Sequence, residues 1–429
     1  MLWQPAIPDE YTQLSDEQLN ARIAARKQEL GSDLVILGHH YQQDDVIAFA
    51  DFTGDSFKLS QLAAEQVKKD NAKYVIFAGV HFMAETADIL TDDGVAVLLP
   101  DLGAGCSMAD MADYDQTVEC WEQLEEVLAG SGQVAKRSSG QVEAGGTLDS
   151  APGPLDHSAT SYRVIPICYM NSSAAIKAFC GMHGGAVCTS SNCDAIFDWA
   201  LAGGDTPLAE GEQVKILFLP DQHLGRNTGA AAGFDPATQM CLWDPKKDLG
   251  GNDEQQILDS TFILWKGHCS VHKLFRPEHV DEVRAEWPGV TVIAHPECCY
   301  ELCQKADMTG STEGIIQAIE SAPPGSRWAI ATEVHLVNRL VNEAKTRGVE
   351  ARILSQCQCL CTTMYRIDRP HLLWIMDNLA VPGGAKVLNQ ISVHPEARKH
   401  ALVALNRMLD ITAKAKVNAV KTVGREATA

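Results

Sequence analysis

Short aliphatic runs alternate with amphipathic segments of about ten to fifteen residues from residue 33 onward. The segment SFKLSQLAAEQVKKD, for example, has the spacing of a helix with one apolar face, whereas runs such as LVILG are typical of buried strands. Strands that alternate with helices favour parallel α/β layers. The pattern predicts strands at residues 34–41, 74–81, 95–101, 163–171, 214–221, 261–267, 290–298, 327–333 and 351–357.

Polar and thiol side chains lie at or just after the ends of most of these predicted strands. In open α/β sheets, ligands bind at the carboxyl ends of the strands, so the recurrence predicts one shared site. The residues concerned are His39, His40, Tyr41, His81, Asp101, Cys106, Tyr169, Asn171, Asp221, Cys269, His272, His295, Glu297, Glu333 and Cys357.

Size and charge limit the function classes. The 429 residues, 45% of them hydrophobic, predict about two to four domains. The net charge of −21 and the lack of a Lys/Arg cluster disfavour nucleic-acid binding. Small anionic substrates remain compatible with this charge, because helix N-termini bind anions. Residues 129–162, rich in Gly and Ser, are typical of a flexible insertion or lid.

The cellular compartment follows from the N-terminus and the cysteines. The first residues lack a basic segment followed by an apolar one, and no apolar run reaches the roughly 20 residues of a membrane span. We therefore expect a cytoplasmic protein without membrane contact. Fourteen cysteines in that compartment indicate reduced thiols or metal chemistry more than disulfides.

The run CQCLC at 357–361 places three thiols at alternate positions, on one side of an extended segment. A zinc ribbon needs a second C-x2-C pair, and a ferredoxin cluster needs a compact cysteine run; the chain has neither. An iron-sulfur cluster would therefore take its ligands from distant loops. The candidates are Cys106 and Cys269, each close to a glycine, and one of Cys357, Cys359 or Cys361.

Twelve ordered motifs resemble those of the quinolinate synthase family, across about residues 30–370. They are HHYQ (39–42), GDS (54–56), GVHFMAETA (79–87), AGCSMAD (104–110), YMNSS (169–173), CTSSN (188–192), FLPDQHLG (218–225), WKGHCSVH (265–272), HPEC (295–298), TGST (309–312), ATE (331–333) and CTTM (361–364).

The resemblance implies a fold of three similar three-layer αβα domains with parallel sheets around a pseudo-threefold axis, with the active site at the centre. The expected divisions are residues 1–120 with 371–429 packing back on them, the insertion 121–162, and domains at 163–265 and 266–370. The implied cofactor is a 4Fe-4S cluster held by Cys106, Cys269 and Cys361, because the family's last ligand precedes a methionine by three residues, here Met364. Three thiolates would leave one iron open as a Lewis acid.

The family reaction condenses iminoaspartate with dihydroxyacetone phosphate to quinolinate, phosphate and two waters in NAD biosynthesis, which also implies a functional link to an enzyme that oxidises L-aspartate. Proton transfer needs groups with a pKa near neutrality. The catalytic residues implied are His39, Tyr41, Tyr169, His295 and Glu297. Substrate binding is expected from His39, Ser56, Tyr169, Asn171, Ser190, His295, Glu297, Ser311 and Thr312.

Other interpretations remain open. Ser56, Ser190 and the pair Ser311/Thr312 each open a predicted helix, so each hydroxyl is either part of an anion site or an ordinary cap. The cluster could instead belong to an iron-sulfur sensor or electron carrier without substrate turnover. A third alternative is an α/β zinc hydrolase that uses His39, His295 and Glu297.

Overall fold

The computed structural model describes residues 4–130, 161–356 and 359–426. Most of the predicted insertion, and Cys357, lie outside the described residues. The strands are β1 (Leu34–His39), β2 (Phe52–Gly54), β3 (Tyr74–Ala78), β4 (Ala96–Leu98), β5 (Ser161–Tyr169), β6 (Ala186–Cys188), β7 (Glu212–Leu219), β8 (Met240–Trp243), β9 (Phe262–Trp265), β10 (Thr291–Ala294), β11 (Met308–Thr309), β12 (Arg327–Ala331), β13 (Glu350–Ile353) and β14 (Gln390–Ile391).

Helices follow most of these strands, as the alternating pattern predicts. They are α1 (Asp9–Thr12), α2 (Asp16–Leu30), α3 (Asp44–Ile47), α4 (Ser56–Asp70), α5 (His81–Leu90), α6 (Tyr114–Gly130), α7 (Ala174–Met182), α8 (Cys193–Leu201), α9 (Gln222–Ala231), α10 (Glu254–Asp259), α11 (Pro277–Glu286), α12 (Tyr300–Lys305), α13 (Thr312–Glu320), α14 (Val334–Thr346), α15 (Arg369–Leu379) and α16 (Pro395–Glu426). None of the helices in these ranges is long and apolar enough to cross a membrane.

The strands form three sheets with orders β14-β4-β3-β1-β2, β6-β5-β7-β9-β8 and β11-β10-β12-β13. Each sheet therefore contains the same run of four strands, in which the first strand of the unit lies between the second and the third. All pairings are parallel except that of β14 with β4. The predicted α/β class with three similar units is confirmed. We call the units around these sheets the first, second and third unit.

Burial explains why the longer strands could be recognised from the sequence. All six residues of β1 are buried, as are the last five of β5, because helices cover both faces of a parallel sheet. The strands missing from the prediction are β2, β6, β8, β11 and β14, and none is longer than four residues. Such short strands carry too few positions for a hydrophobic pattern.

The C-terminal segment contacts two units. Helix α15 packs on α2, and β14 extends the first sheet at β4. Helix α16 instead packs mainly on α7, β6 and α8 of the second unit, which the sequence did not indicate. Its buried Ala401, Ala404 and Leu405 belong to the same apolar cluster as the second sheet. Gly181 permits the close approach, since a Cβ there would lie 2.0 Å from the carbonyl oxygen of His400.

Candidate functional site

One cavity is lined by loops from all three units. Of the residues to which the family resemblance assigns catalysis, substrate binding or cluster ligation, only Ser311 does not line it; its hydroxyl accepts the amide of Gly314 and caps α13. The others that line it are His39, Tyr41, Ser56, Cys106, Tyr169, Asn171, Ser190, Cys269, His295, Glu297, Thr312 and Cys361. Six other residues that the sequence placed in a shared site at the strand ends do not line it either: His40, His81, Asp101, Asp221, His272 and Glu333.

The first strand of every unit ends in two cavity residues that are separated by one position. These pairs are His39 and Tyr41 after β1, Tyr169 and Asn171 at the end of β5, and His295 and Glu297 after β10. Because the three strands hold equivalent places in their sheets, the pairs approach the cavity from three sides. The chemical variety of the site therefore comes from one repeated position in the fold.

The two histidines of these pairs are held as neutral hydrogen-bond donors. The Nδ1 atom of His39 accepts the amide of Tyr41 at 3.1 Å, and Nδ1 of His295 accepts the amide of Glu297 at 3.3 Å. Burial lowers the pKa of each imidazole to about 3. The ring proton therefore resides on Nε2. This differs from the expected pKa near neutrality, because both rings are shut off from solvent.

Glu297 is the ionised group of the cavity. Its carboxylate lies 2.7 Å from Nδ1 of His272, and the Tyr169 hydroxyl donates to it. Burial alone would raise the pKa of Glu297, but His272, His295 and this hydroxyl outweigh it and hold the pKa well below its usual range. The His272 ring also stacks on His295, with ring centroids 4.5 Å apart.

A hydrogen-bonded chain connects Glu297 with the first unit. Nε2 of His272 lies 3.3 Å from the hydroxyl of Thr332, which lies 3.0 Å from the hydroxyl of Tyr41. The sequence left His272 undecided between contact and structure, and did not single out Thr332. The only available signal was that Thr332 lies at the end of a predicted strand.

Both tyrosines are protonated phenols. Burial, with Glu297 as the next cause, raises the pKa of Tyr41 and of Tyr169 well above the usual range. Each can therefore donate a hydrogen bond to an oxygen of a bound molecule. The Tyr41 hydroxyl also lies 3.2 Å from the hydroxyl of Thr312, at the start of α13.

The helix that follows the second strand of each unit points its N-terminus at the cavity. These helices are α4, α8 and α13, and the hydroxyls of Ser56, Ser190 and Thr312 line the cavity beside them. The amides and the dipole of a helix N-terminus favour an anion. The fold therefore places three candidate anion sites at equivalent positions; at α4, the Asp55 carboxylate already accepts the amide of Lys58 and the hydroxyl of Ser191, each at 2.8 Å.

Three cysteine loops, one from each unit, share a backbone hydrogen-bond pattern. The carbonyl of each cysteine accepts an amide from four residues later, at 3.0–3.2 Å, and a short 3-10 helix begins three residues after the cysteine. A second bond joins each loop to a helix: the residue two positions before the cysteine accepts an amide at its backbone carbonyl. The donor is the first residue of the helix that follows the third strand of the same unit. The pairs are Cys106/Asp110, Cys269/Lys273 and Cys361/Tyr365 for the first bond, and Ala104/His81, Gly267/Gln222 and Cys359/Val334 for the second.

This pattern separates Cys361 from Cys359. Cys361 is the structural equivalent of Cys106 and Cys269, and all three line the cavity. Cys359 is the equivalent of Ala104 and Gly267, does not line the cavity and is buried in the apolar cluster of the third unit. The spacing of the CQCLC run alone could not make this distinction.

The three thiols form a suitable donor set for a metal cluster. Burial raises the pKa of Cys106 to about 12. Burial, and after it the charges of Glu297, Cys106 and Cys361, raise the pKa of Cys269 well above its usual value. Backbone amides of the following turn donate to each sulfur, which favours the thiolate that a metal would bind. Soft thiolates suit iron-sulfur clusters, and the space beside Gly105 is open. The donor atoms of Cys269, His272 and Glu297 also lie within 4.8 Å of one another.

The fold and the site define the class: an α/β enzyme of three repeated units, whose cavity combines three thiols with buried His, Tyr and Glu. Residues 21–410 match the sequence model of the protein family that is described as Quinolinate synthetase A protein. The chain is 49% identical to Quinolinate synthase of Acidobacterium capsulatum over 94% of this chain and 95% of the relative. It is 46% identical to that of Rhodopirellula baltica, over 94% and 93%, and 45% identical to that of Streptomyces coelicolor, over 94% and 90%.

The chain belongs to the quinolinate synthase family. It is an enzyme of that type, with a function in NAD biosynthesis. The family resemblance drawn from the sequence motifs is confirmed.

Proposed function

We propose that the protein condenses iminoaspartate with dihydroxyacetone phosphate to give quinolinate, phosphate and two waters. In this proposal a 4Fe-4S cluster is held by Cys106, Cys269 and Cys361. The observation that carries it is the set of three equivalent cysteine loops around one cavity that also contains Glu297. The atoms balance without an oxidant or a reductant, so the protein needs no electron partner for turnover.

The cofactor's contribution is limited to one chemical property. With three protein thiolates, one iron of the cluster would lack a protein ligand and would supply a Lewis acid that makes hydroxide a better leaving group. All other demands of the reaction fall on the side chains of the cavity.

Binding of the substrates requires sites for carboxylates and a phosphate. The N-termini of α4, α8 and α13 supply three such sites, with hydroxyls from Ser56, Ser190 and Thr312. Asn171 adds an amide whose Oδ1 is buried without a partner among the described residues, so it can accept a hydrogen bond from a ligand. Nε2–H of His39 and His295 can donate to substrate oxygens.

Proton removal is assigned to Glu297. It is buried and ionised, so it can take a proton from a substrate carbon. The single proton of the Tyr169 hydroxyl is donated to Glu297 in the free protein and can be donated to a substrate oxygen once that carboxylate is protonated. His272 stabilises the carboxylate in position. The neutral state of His39 and His295 assigns them to orientation and hydrogen bonding.

The supply of substrate fits the same scheme. The imine would come from an enzyme that oxidises L-aspartate, and we place both activities in the cytoplasm. The assay for the proposal is therefore anaerobic formation of quinolinate from dihydroxyacetone phosphate and an imine generated in the same tube.

Metal analysis tests the cluster. The anaerobically purified protein should contain about four irons per chain, and Cys106→Ala should lose them together with activity. Stoichiometric zinc in place of iron would favour the hydrolase alternative. That alternative was drawn from the sequence with His39, His295 and Glu297, but the donor atoms that lie within 4.8 Å of one another are those of Cys269, His272 and Glu297. An iron-loaded protein that forms no quinolinate would favour the sensor or electron carrier.

A further inference from the structure

The described residues that line the cavity include no Lys or Arg, and the two histidines among them, His39 and His295, are neutral. The proposed substrates and product carry several negative charges, and burial of an uncompensated anion is costly. Helix N-termini supply only partial charges, equivalent to about half a unit each. A full positive charge close behind the cavity wall would therefore affect which anions bind.

Lys177 of α7 places an ammonium group close behind the cavity wall. Its side chain is fully buried, and Nζ lies 5.4 Å from the centroid of the Phe82 ring, which lines the cavity. Nζ donates to the carbonyl of Ser172, and no ion pair joins it to a carboxylate in the described part of the chain. Burial lowers the pKa of Lys177, whereas Glu85, and after it three thiols, favour the charged ammonium. The thiols are those of Cys168, Cys180 and Cys106.

Glu85, the acidic group with the largest effect on the pKa of Lys177, forms no ion pair with it in the described part of the chain. Glu85 favours the charged ammonium, but its carboxylate accepts the amide of Ala174 at 2.9 Å and lies 3.8 Å from Nδ1 of His81. Glu85 is partly exposed, whereas Lys177 is not. Solvent therefore screens the negative charge more than the positive one.

Lys177 also fixes the turn that presents Asn171. The hydroxyl of Ser172 donates to the carbonyl of Tyr169 at 2.8 Å, while Nζ of Lys177 holds the Ser172 carbonyl. Between these two bonds lies Asn171, whose Oδ1 is buried at the cavity without a partner among the described residues. The positive charge and the unused acceptor therefore belong to the same corner of the cavity.

We infer that Lys177 is a positioning residue for anionic substrates: its buried ammonium attracts the carboxylate or phosphate that binds beside Asn171. The inference rests on the proposed function, since it assumes that the cavity takes polyanionic molecules. The same ammonium holds the turn at Ser172, but its charge is what raises affinity.

The test uses cluster-loaded protein and two probes that differ in charge. Quinolinate is a dianion, and pyridine-2-carboxylate is the matched monoanion that lacks one carboxylate. In Lys177→Met, the dissociation constant of quinolinate should rise roughly tenfold, the order expected for loss of a unit charge in a site of effective dielectric constant about 20. The rise should be smaller for pyridine-2-carboxylate, and KM should rise more than kcat falls.

Stability and two further variants separate charge from structure. Lys177→Met removes the donor to the buried Ser172 carbonyl, which is destabilising, so this variant should keep its iron with a Tm that is lowered by a few degrees. Lys177→Arg keeps the charge and should retain affinity. Glu85→Gln removes the nearby negative charge, keeps an acceptor for the Ala174 amide, and should leave affinity unchanged or improved.

Several results would overturn the inference. These are an unchanged dissociation constant in Lys177→Met, equal losses for the two probes, or equal weakening in Glu85→Gln. A wild-type protein that neither binds quinolinate nor forms it refutes the proposed function itself. Wild-type binding that Lys177→Met preserves refutes only the role of Lys177.

Discussion

Replacing Cys361 and Cys359 separately by alanine tests the assignment of the third cluster ligand. The two thiols are two positions apart in one loop, yet only Cys361 is equivalent to Cys106 and Cys269 in backbone hydrogen bonding. We expect Cys361→Ala to lose the cluster and Cys359→Ala to retain it. Each variant is the matched control for the other, because both remove one sulfur from the same loop.

Without iron, the order of stability of the two variants should be the reverse of their order in iron binding. Cys359 is fully buried in the apolar cluster of the third unit, so loss of its sulfur should lower the free energy of unfolding by about 1–2 kcal/mol. Cys361 is only partly buried, and its sulfur contacts the Thr363 hydroxyl at 3.5 Å. Its removal should cost less than about 1 kcal/mol in the apo protein. Cys359→Ala should therefore be the less stable apo protein but the one that binds iron.

Anaerobic reconstitution measures the first difference, through iron and sulfide content and the visible absorption of the cluster. Thermal unfolding of the apo proteins measures the second. Full iron content in Cys361→Ala would show that the equivalent hydrogen bonding of the three loops does not identify the cluster ligands. Loss of iron in Cys359→Ala, with an apo Tm close to that of the wild type, would do the same by making Cys359 a ligand.

Three further changes test other parts of the structure. Glu297→Gln should keep the cluster but lower kcat by at least about 100-fold, since an amide cannot take the proton; an unchanged kcat under anaerobic assay would remove Glu297 from the mechanism. Gly267→Ala should lower iron content, because its Cβ would lie 2.2 Å from the Pro220 carbonyl oxygen and displace the loop of the second thiol; normal iron content would contradict this. Burial and Asp377 raise the pKa of Tyr11 from 10.0 to about 12, so its contribution to stability is present below pH 10 and lost as the pH rises through 12. The unfolding free energy of Tyr11→Phe should therefore fall less over that interval than that of the wild type, and equal slopes would exclude the effect.

The sequence was informative about the fold wherever strands were long and buried. The runs that became β1, β5 and β7 have six to nine residues, and their apolar character follows from coverage on both faces. The edge strands β2, β6 and β11 have two or three residues, and their place depends on pairing with β1, β5 and β10. Pairing of that kind is a tertiary property without a local pattern. The domain divisions proposed from the sequence stay a prediction.

The site was predictable in position but not in electrostatics. Residues at strand ends could be grouped, because the topology of parallel sheets brings those ends together. Their protonation states depend on depth and neighbours: the pKa of His39 is lowered by burial, and the pKa of Glu297 is lowered mainly by His272. Neither cause can be read from spacing along the chain. Ser311 was predicted to bind substrate because it lies in a family motif, but its hydroxyl caps α13 and does not line the cavity.

The division of labour within the cavity follows from which positions the three units share. In every unit, the helix after the second strand provides the proposed anion site, and the loop after the fourth strand provides a cavity-lining thiol. Repetition suits these proposed tasks, because several anionic groups and a cluster with three protein ligands would each need the same feature three times. Proton transfer needs unlike groups, and the described cavity lining has such groups at the end of the first strand, where His/Tyr, Tyr/Asn and His/Glu pairs replace one another. Replacing a repeated residue, which is a hydroxyl at a helix N-terminus or a cysteine of a loop, should therefore weaken binding of a ligand or of the cluster. Replacing one of the unlike residues at the end of a first strand should instead lower kcat in a protein that still binds the ligand and the cluster.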